Sequence, residues 1–194
     1  LLMSSDFGMS SRVATALAFG IKTDTLGFTR NFNAVDVRAL LWINAWVDKE
    51  KLRAIETPPR SIAALESFST ALNNKVHLEN LILAPVHNLV NRDSLAQIAD
   101  FLLPTEGVDT VVAFGIRRNK VILSARSNNN NIHVGKLLSN YFQDGLAGGH
   151  KSLGGGQIPF DIILNQQTKD EEQEEGIIME KTLTILQDIF FVKR

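Results

Sequence analysis

The chain has 194 residues, which is enough for one domain or for one domain and part of a second. It contains no cysteine, so disulfides and thiolate metal sites are excluded, and no apolar run approaches the ~18 residues that a membrane-spanning helix requires. Because the formal net charge is −1, no overall positive field attracts nucleic acid. An anionic substrate would therefore require local Arg, Lys or His side chains, or a metal ion.

The N-terminal segment shows no secretory signal pattern. The lack of cysteine fits a reducing compartment, so we expect a cytoplasmic location and no membrane partner. The chain starts with Leu1-Leu2-Met3, which is not typical of a natural initiation site. We therefore expect a fragment of a longer protein.

The first quarter of the chain is predicted to be helical. Ser10-Ser11 can cap a helix whose interior, Val13–Ala18, consists of small residues that favour close packing. Gly20 is expected to end this helix, and the segment Ile21–Phe28 is expected to form a short loop or the end of a strand.

Two further helices and a break follow. Asn33 is a good N-cap, with Asp36 placed to interact favourably with the helix dipole, and Asp48 starts a short third helix. Thr57-Pro58-Pro59-Arg60 then interrupts the helical pattern, because proline cannot continue a helix. We predict a domain boundary here, with one domain at 1–56, a linker at 57–61 and a second domain at 62–194.

The second domain alternates between the helical and the strand hydrophobic period. Its predicted elements are a helix containing Ile62 to Leu72, a strand Val76–Leu83, a helix capped by Asp93, a hairpin of Val108–Ile116 and Val121–Ala125, a helix Val134–Phe142 with Asn131 as its cap, a glycine loop, a strand Gln157–Leu164, a solvated acidic loop Gln166–Gly176, and a closing helix with the apolar stripe Met179 to Phe190. This alternation predicts an α/β (mixed α+β) fold with a mixed β-sheet flanked by helices.

Glycines cluster between Gly145 and Pro159 as nowhere else in the chain, and His150 and Lys151 lie among them. Glycine permits positive φ and close approach of the backbone to a ligand, and consecutive N–H groups can form an anion-binding nest. His150 and Lys151 would add hydrogen-bond donors and positive charge. The stretch is therefore either a phosphate-binding loop or merely a flexible linker or pair of tight turns, and composition alone does not decide between them.

Two other sites contain residues suited to chemistry. Asp24 lies between two threonines and could ligate a hard cation, or it could only bond the backbone of its own turn. Arg126 and Ser127 end a predicted hairpin strand; the guanidinium could bind a phosphate in bidentate fashion, or it could be an ordinary surface arginine. The three histidines other than His150 lack the glycine context, and we interpret them as surface or core residues.

Three segments, in this order, resemble motifs of the DHH phosphoesterase family. Gly20–Phe28 resembles its last metal motif, Gly-Ile-x-Thr-Asp-Thr-Gly-x-Phe. Ser124–Ser127 resembles the Arg-Ser motif of the DHH-associated C-terminal domain, and Gly148–His150 resembles the glycine-histidine loop of that domain. The layout is most similar to the branch of oligoribonucleases and phosphoadenosine-phosphate phosphatases, with RecJ-type exonucleases as more distant relatives.

This resemblance implies a hydrolase in which the N-terminal DHH domain, built on a parallel sheet, holds two Mn²⁺ ions, with Mg²⁺ as a possible substitute. The C-terminal domain would bind short RNA or DNA oligonucleotides or nucleotide phosphates, and the protein could form a homodimer. Asp24 would ligate one of the metal ions. The residues implied to bind the substrate are Arg126, Ser127, Gly148, Gly149, His150 and Lys151.

The chain departs from the family pattern at several positions. Leu26 replaces a glycine of the metal motif, and Leu146-Ala147 replaces two glycines before His150. The family's other metal motifs, Asp-x-Asp and Asp-His-His, do not occur, so residues 1–56 would be only the C-terminal end of a DHH domain. We therefore expect the chain by itself to be inactive or nearly so. The alternatives are a non-catalytic module that binds nucleotides or single-stranded nucleic acid, and a regulatory or oligomerisation domain.

Overall fold

A computed structural model describes residues 8–29, 32–142, 145–164 and 171–192. The chain divides into two compact units, Leu1–Arg60 and Ser61–Arg194. The division follows Pro58 and Pro59 directly, as expected where two fixed φ angles interrupt a helix. No helix in the described ranges is both long and apolar enough to cross a membrane.

The first unit contains helices α1 (Ser11–Asp24), α2 (Ala34–Ile43) and α3 (Lys49–Glu56), and its described residues include no strand. The prediction that Gly20 ends the first helix is wrong, because α1 continues to Asp24. A single glycine costs a helix only ~1 kcal/mol, which the surrounding turns can supply. The helix ends instead in a left-handed turn, in which Leu26, Gly27 and Phe28 have φ values of 45°, 65° and 67°.

The starts of α2 and α3 follow the predicted capping chemistry. The Asn33 side chain accepts a hydrogen bond from the Val35 N–H at 2.7 Å, and Asp36 accepts one from the Asn33 N–H at 2.8 Å. Asp48 accepts a hydrogen bond from the Lys51 N–H at 3.0 Å. The hydrogen bond from the Lys51 side chain is the main cause that holds the pKa of Asp48 below its ordinary value.

The second unit is built on one six-stranded mixed sheet. Its strands are β1 (Val76–Leu78), β2 (Leu81–Val86), β3 (Thr110–Arg117), β4 (Lys120–Ser127), β5 (Ala147–Gly149) and β6 (Leu153–Pro159), in the spatial order β1-β2-β3-β4-β6-β5. Strands β2 and β3 are parallel, and all other neighbouring pairs are antiparallel. The helices are α4 (Ile62–Asn74), α5 (Asp93–Leu102), α6 (Val134–Phe142), α7 (Phe160–Leu164) and α8 (Glu171–Gln187), which a π-helical turn Asp188–Val192 extends. The predicted mixed sheet flanked by helices is confirmed.

Apolar side chains cover both faces of this sheet. Helices α4 and α5 pack on one face, where residues such as Leu95 and Ile98 contact β2 and β3. Helices α6, α7 and α8 pack on the other face, where Phe142 and Phe190 are almost completely buried. Since burial of one such side chain contributes ~1.5–3 kcal/mol, these two layers account for much of the stability of the unit. The apolar stripe predicted along the last helix is confirmed.

The hairpin predicted after Val108 is confirmed as β3 and β4. Arg118 and Asn119 have φ values of 51° and 56°, as the central residues of a two-residue hairpin turn require. The single strand predicted over Val76–Leu83 is wrong, because a turn at Glu79, with φ of 50°, folds this segment into the antiparallel pair β1 and β2. The alternation of apolar residues continues through that turn and therefore conceals it.

Two predicted helix caps are replaced by neighbouring residues. Asp93 is the first residue of α5 rather than its cap, and its N–H donates to the Asn91 side chain at 3.0 Å. Asn131 does not cap α6. The His133 Nδ1 accepts from the Lys136 N–H at 3.2 Å instead, since it is three residues before that donor. Local spacing therefore placed these helices correctly, but Arg92 occupies the N-cap position of α5 without a side-chain hydrogen bond, and His133 replaces Asn131 as the cap of α6.

Two predicted boundaries near the C-terminus are also wrong. The strand predicted over Gln157–Leu164 ends at Pro159, because α7 begins directly after it. The predicted loop Gln166–Gly176 lies partly outside the described residues, and from Glu171 onward it belongs to α8. Glutamates are good helix formers, so an acidic stretch is compatible with a solvated first part of a helix.

Candidate functional site

The glycine-rich stretch forms a β-hairpin at the edge of the sheet. Strand β5 pairs with the start of β6, with Gly148 opposite Gly155 and Gly149 opposite Gly154. Gly149 has φ of 150°, and a Cβ placed there would lie 2.3 Å from the Leu153 carbonyl oxygen. The expectation of a loop is therefore wrong for most of the stretch, and glycine is required at position 149 because two backbones meet there.

The turn that joins β5 to β6 is attached to the beginning of α6. The N–H groups of Val134 and Gly135 donate to the carbonyl oxygens of Lys151 and His150, both at 3.0 Å. These are N–H groups of the first helical turn, which have no partner within the helix itself. The backbone of the turn is thus held in place, while the side chains of His150 and Lys151 remain exposed to solvent.

Arg126 is held in one orientation near this hairpin. Its Nε donates to an Asp100 carboxylate oxygen at 2.7 Å, and its Nη1 donates to the Ser124 hydroxyl at 3.1 Å and to the Ala125 carbonyl at 3.0 Å. The side chain is 21% exposed. Its Nη2 has no hydrogen-bond partner among the described residues, so it is the group with which Arg126 can bind an anion without losing these contacts.

Ser127 occupies a different environment from its neighbour. Its side chain is buried, and its hydroxyl lies 3.0 Å from the Thr110 hydroxyl, donates to the Asp109 carbonyl and accepts a backbone N–H two residues further on, each at 3.0 Å. Successive residues of a strand point to opposite faces of the sheet, so the Ser127 hydroxyl lies on the face away from Arg126. Its N–H donates to the Ser152 carbonyl at 2.9 Å, which adds a further attachment of the hairpin turn.

A cavity of about 900 Å³ lies on the face of the sheet that carries α5. Arg126, His150 and Lys151 are not among its described lining residues. Ser124, the hydrogen-bond partner of Arg126, lines it, together with Gly148 and Gly155 from the glycine hairpin. Sequence reasoning missed Ser124, although its position two residues before Arg126 places both side chains on the same face of β4. The structure therefore brings Arg126 and the glycine hairpin together at one surface.

Asp24 belongs to the first unit, whereas the other candidate residues belong to the second. It is the last residue of α1, and its side chain is exposed. Within the described ranges, no three His, Asp or Glu side chains are close enough together to hold a metal ion. A single carboxylate does not make a site for a pair of divalent cations, so the described residues do not suffice for the metal centre that the motifs imply.

Comparison with known proteins decides the family. The model of the DHHA1 domain matches residues 78–175, a range that includes Arg126 and the whole glycine hairpin. The chain belongs to the DHHA1 domain family. This match confirms the recognition of a DHH-family phosphoesterase C-terminal region from the three motifs.

Two relatives cover nearly all of this DHHA1 chain. The uncharacterized protein MJ1633 of Methanocaldococcus jannaschii is 32% identical over 193 residues, a match that includes 99% of this chain and 39% of that protein. The crystal structure of an exopolyphosphatase-related protein from Bacteroides fragilis superposes with a TM-score of 0.64 and 18% identity, over 95% of this chain and 53% of that one. The structural likeness shows a shared fold. The chain spans well under two thirds of either relative.

Proposed function

We propose that this DHHA1 chain is the substrate-binding part of a phosphoesterase that hydrolyses short oligonucleotides or nucleotide phosphates, as oligoribonucleases and phosphoadenosine-phosphate phosphatases do. The observation that carries the proposal is the oriented Arg126, whose hydrogen-bond partner Ser124 lines a cavity of about 900 Å³ together with glycines of the hairpin. Arginine N–H groups match the geometry of phosphate oxygens, and glycine lets a ligand approach the backbone closely.

The proposed roles follow from where each side chain points. Arg126 donates from its Nη2 to a phosphate oxygen, while Asp100 and Ser124 keep the guanidinium in place. His150 and Lys151, exposed on an anchored turn, add positive charge and further donors. Gly148, which lines the cavity, and the neighbouring Gly149 would let the substrate approach the backbone. Ser127, which is buried, stabilises the strand end from the opposite face instead of contacting the substrate.

The catalytic metal ions belong to the full-length protein in this proposal. Asp24 would provide one ligand of a pair of Mn²⁺ or Mg²⁺ ions, and the remaining ligands would come from outside this chain. Such a metal pair would supply a hydroxide nucleophile at neutral pH and stabilise charge on the phosphoryl oxygens. We therefore expect this chain alone to bind substrate but not to turn it over.

The first experiment compares this chain with the full-length protein in hydrolysis of phosphoadenosine phosphate and a short RNA, with Mn²⁺ and then with EDTA. The proposal predicts metal-dependent turnover by the full-length protein only. Turnover by this chain alone would contradict the assignment of the metal ligands. Absence of turnover by either protein, together with measurable nucleotide binding, would contradict the assignment as an enzyme.

Arg126→Ala in the full-length protein tests the substrate site itself. Loss of a hydrogen bond from a charged group costs ~1.5–3 kcal/mol, so kcat/KM should fall by about 10- to 100-fold, with KM raised. Lys181→Ala, which removes an exposed charge from α8, is the matched control and should leave kcat/KM unchanged. An unaltered kcat/KM in the Arg126 variant would exclude the proposed contact with the substrate.

A second candidate function is a binding module that holds a nucleotide or a single-stranded nucleic acid without hydrolysing it. The oriented Arg126 and the glycine hairpin would serve this function as well, because binding alone requires no metal ligand from the chain. It predicts that the full-length protein binds phosphoadenosine phosphate in the presence of EDTA with the affinity measured in Mn²⁺, and that it releases no phosphate in either condition.

A further inference from the structure

Four cationic side chains surround a second cavity, of about 330 Å³, near the turn between β3 and β4. They are Arg92, which directly precedes α5, and Arg117, Arg118 and Lys120 from the hairpin. Among the described residues, the others that line this cavity are Ile122 and Gln157, so none of them carries a carboxylate. The surface is therefore strongly positive on a chain whose net charge is −1. We call these four residues the hairpin cluster.

Little in the described part of the chain neutralises the hairpin cluster. Arg117, Arg118 and Lys120 have no carboxylate oxygen within 4.0 Å there, whereas Arg92 forms an ion pair with the neighbouring Asp93 at 3.6 Å. Glu175 borders a different cavity that two of the arginines also line, but it forms no ion pair with them. Three cations held on one tight turn repel each other, and a bound anion relieves that repulsion.

The hairpin cluster is continuous with the candidate substrate site. Arg92, Lys120, Ile122 and Gln157 line both the smaller cavity and the cavity of about 900 Å³. Along β4, alternate residues from Lys120 to Arg126 point to the same face of the sheet. The six residue steps from Lys120 to Arg126 span ~20 Å along β4. A stacked single strand of nucleic acid rises ~3.4 Å per nucleotide, so this span matches about six nucleotide steps.

We propose that the hairpin cluster binds the internal phosphates of a single-stranded oligonucleotide whose terminal phosphate lies at Arg126. This inference rests on the proposed function and adds a second contact that selects for substrate length. The larger cavity between the two positive ends is lined by small and apolar residues such as Ile122, Leu146 and Gly155, and also by polar residues that include the Asp93 carboxylate. Such a surface suits nucleobases and sugars, whereas a chain of bare phosphates would leave it unused.

The test measures binding of fluorescein-labelled RNA of two and of seven nucleotides to this chain by fluorescence anisotropy, in EDTA. The double variant Arg117→Gln/Arg118→Gln should bind the heptamer about tenfold more weakly, and the slope of log K against log salt should decrease by ~1.4, or ~0.7 for each lost phosphate contact. Binding of the dimer should not change. The matched control Lys75→Gln/Lys181→Gln removes two cations that border none of these cavities and should leave both affinities unchanged.

The possible outcomes separate this inference from the proposed function. Unchanged heptamer binding by the double variant, or equal weakening of dimer and heptamer, would overturn the role of the hairpin cluster. Displacement of the heptamer by inorganic polyphosphate of equal charge, as efficient as displacement by unlabelled heptamer, would overturn the choice of an oligonucleotide. The proposed function fails on different data, namely if Arg126→Ala has no effect on either RNA.

Discussion

Replacement of Gly135 by alanine tests the attachment of the glycine hairpin to α6. A Cβ added at Gly135 would lie 2.2 Å from the Gly149 carbonyl oxygen and 2.3 Å from its carbonyl carbon. Ordinary contacts need ~3.5–4.0 Å, so the hairpin would have to move by more than ~1 Å. Both atoms belong to the backbone, and rotation of a side chain cannot relieve the clash.

The expected magnitude follows from three terms. Overpacking costs ~1–3 kcal/mol, and displacement of the hairpin weakens the two hydrogen bonds from Val134 and Gly135, each of which is worth ~0.5–1.5 kcal/mol. The higher helix propensity of alanine stabilises the variant by ~1 kcal/mol and offsets part of this loss. The Gly135→Ala variant should therefore have a free energy of unfolding that is lower by about 3 kcal/mol. Because His150 and Lys151 move with the hairpin, the affinity of the Gly135→Ala variant for a nucleotide should also fall.

Urea unfolding followed by circular dichroism measures the stability, and equilibrium binding of phosphoadenosine phosphate measures the site. Gly176→Ala is the matched control: Gly176 lies within α8, no atom is within 4 Å of a Cβ added there, and the variant should gain up to ~1 kcal/mol. If Gly135→Ala were within ~0.5 kcal/mol of the wild type and bound the nucleotide equally well, the close contact between α6 and the hairpin would be refuted.

Three further predictions concern single side chains. Leu26→Gly should raise the free energy of unfolding by up to ~1 kcal/mol in urea titrations. A leucine in the left-handed conformation costs ~1–2 kcal/mol, and the greater flexibility of glycine in the unfolded chain cancels only part of the stability gained by removing that strain. Ser127→Ala should lower it by ~1–3 kcal/mol in the same assay, since the buried Thr110 hydroxyl and Asp109 carbonyl lose a partner, while KM should change far less than in Arg126→Ala. Because the pKa of Asp48 in the folded protein is below its ordinary value of 3.8, its contribution to stability is fully present at pH values above 3.8 and is lost as the pH falls through the folded-state pKa. Asp48→Asn should therefore reduce the loss of stability measured on acidification.

Local chemistry was sufficient to predict much of the fold. The capping residues Asn33, Asp36 and Asp48, and the turn at Arg118-Asn119, act through bonds or dihedral angles of their own segments, and all of them are found in the structure. The sheet flanked by helices follows from hydrophobic periods that tertiary packing did not override.

The errors arose where distant contacts decide the structure. Glycine is disfavoured in strands, so the local sequence gives no indication of β5. The backbone of β5 instead packs against α6 at Gly135, a contact between residues that are separated in sequence. The Arg-Ser pair was predicted as one substrate motif, although the side-chain direction of each residue depends on the register of β4. Ser124 was missed although its spacing places it on the same face of β4 as Arg126, because spacing does not show that its hydroxyl accepts a hydrogen bond from the guanidinium.

The opposite orientation of Arg126 and Ser127 determines which changes in length this segment can accept. Insertion or deletion of one residue within β4 would exchange the two faces, placing the serine on the side of α5 and directing the guanidinium into the apolar layer on the other side. Such a change would remove the Arg126–Asp100 ion pair and destabilise the second unit, with no substitution at either residue. Variation in length should instead collect in the turn at Arg118-Asn119, where an added residue leaves the alternation of the strand intact.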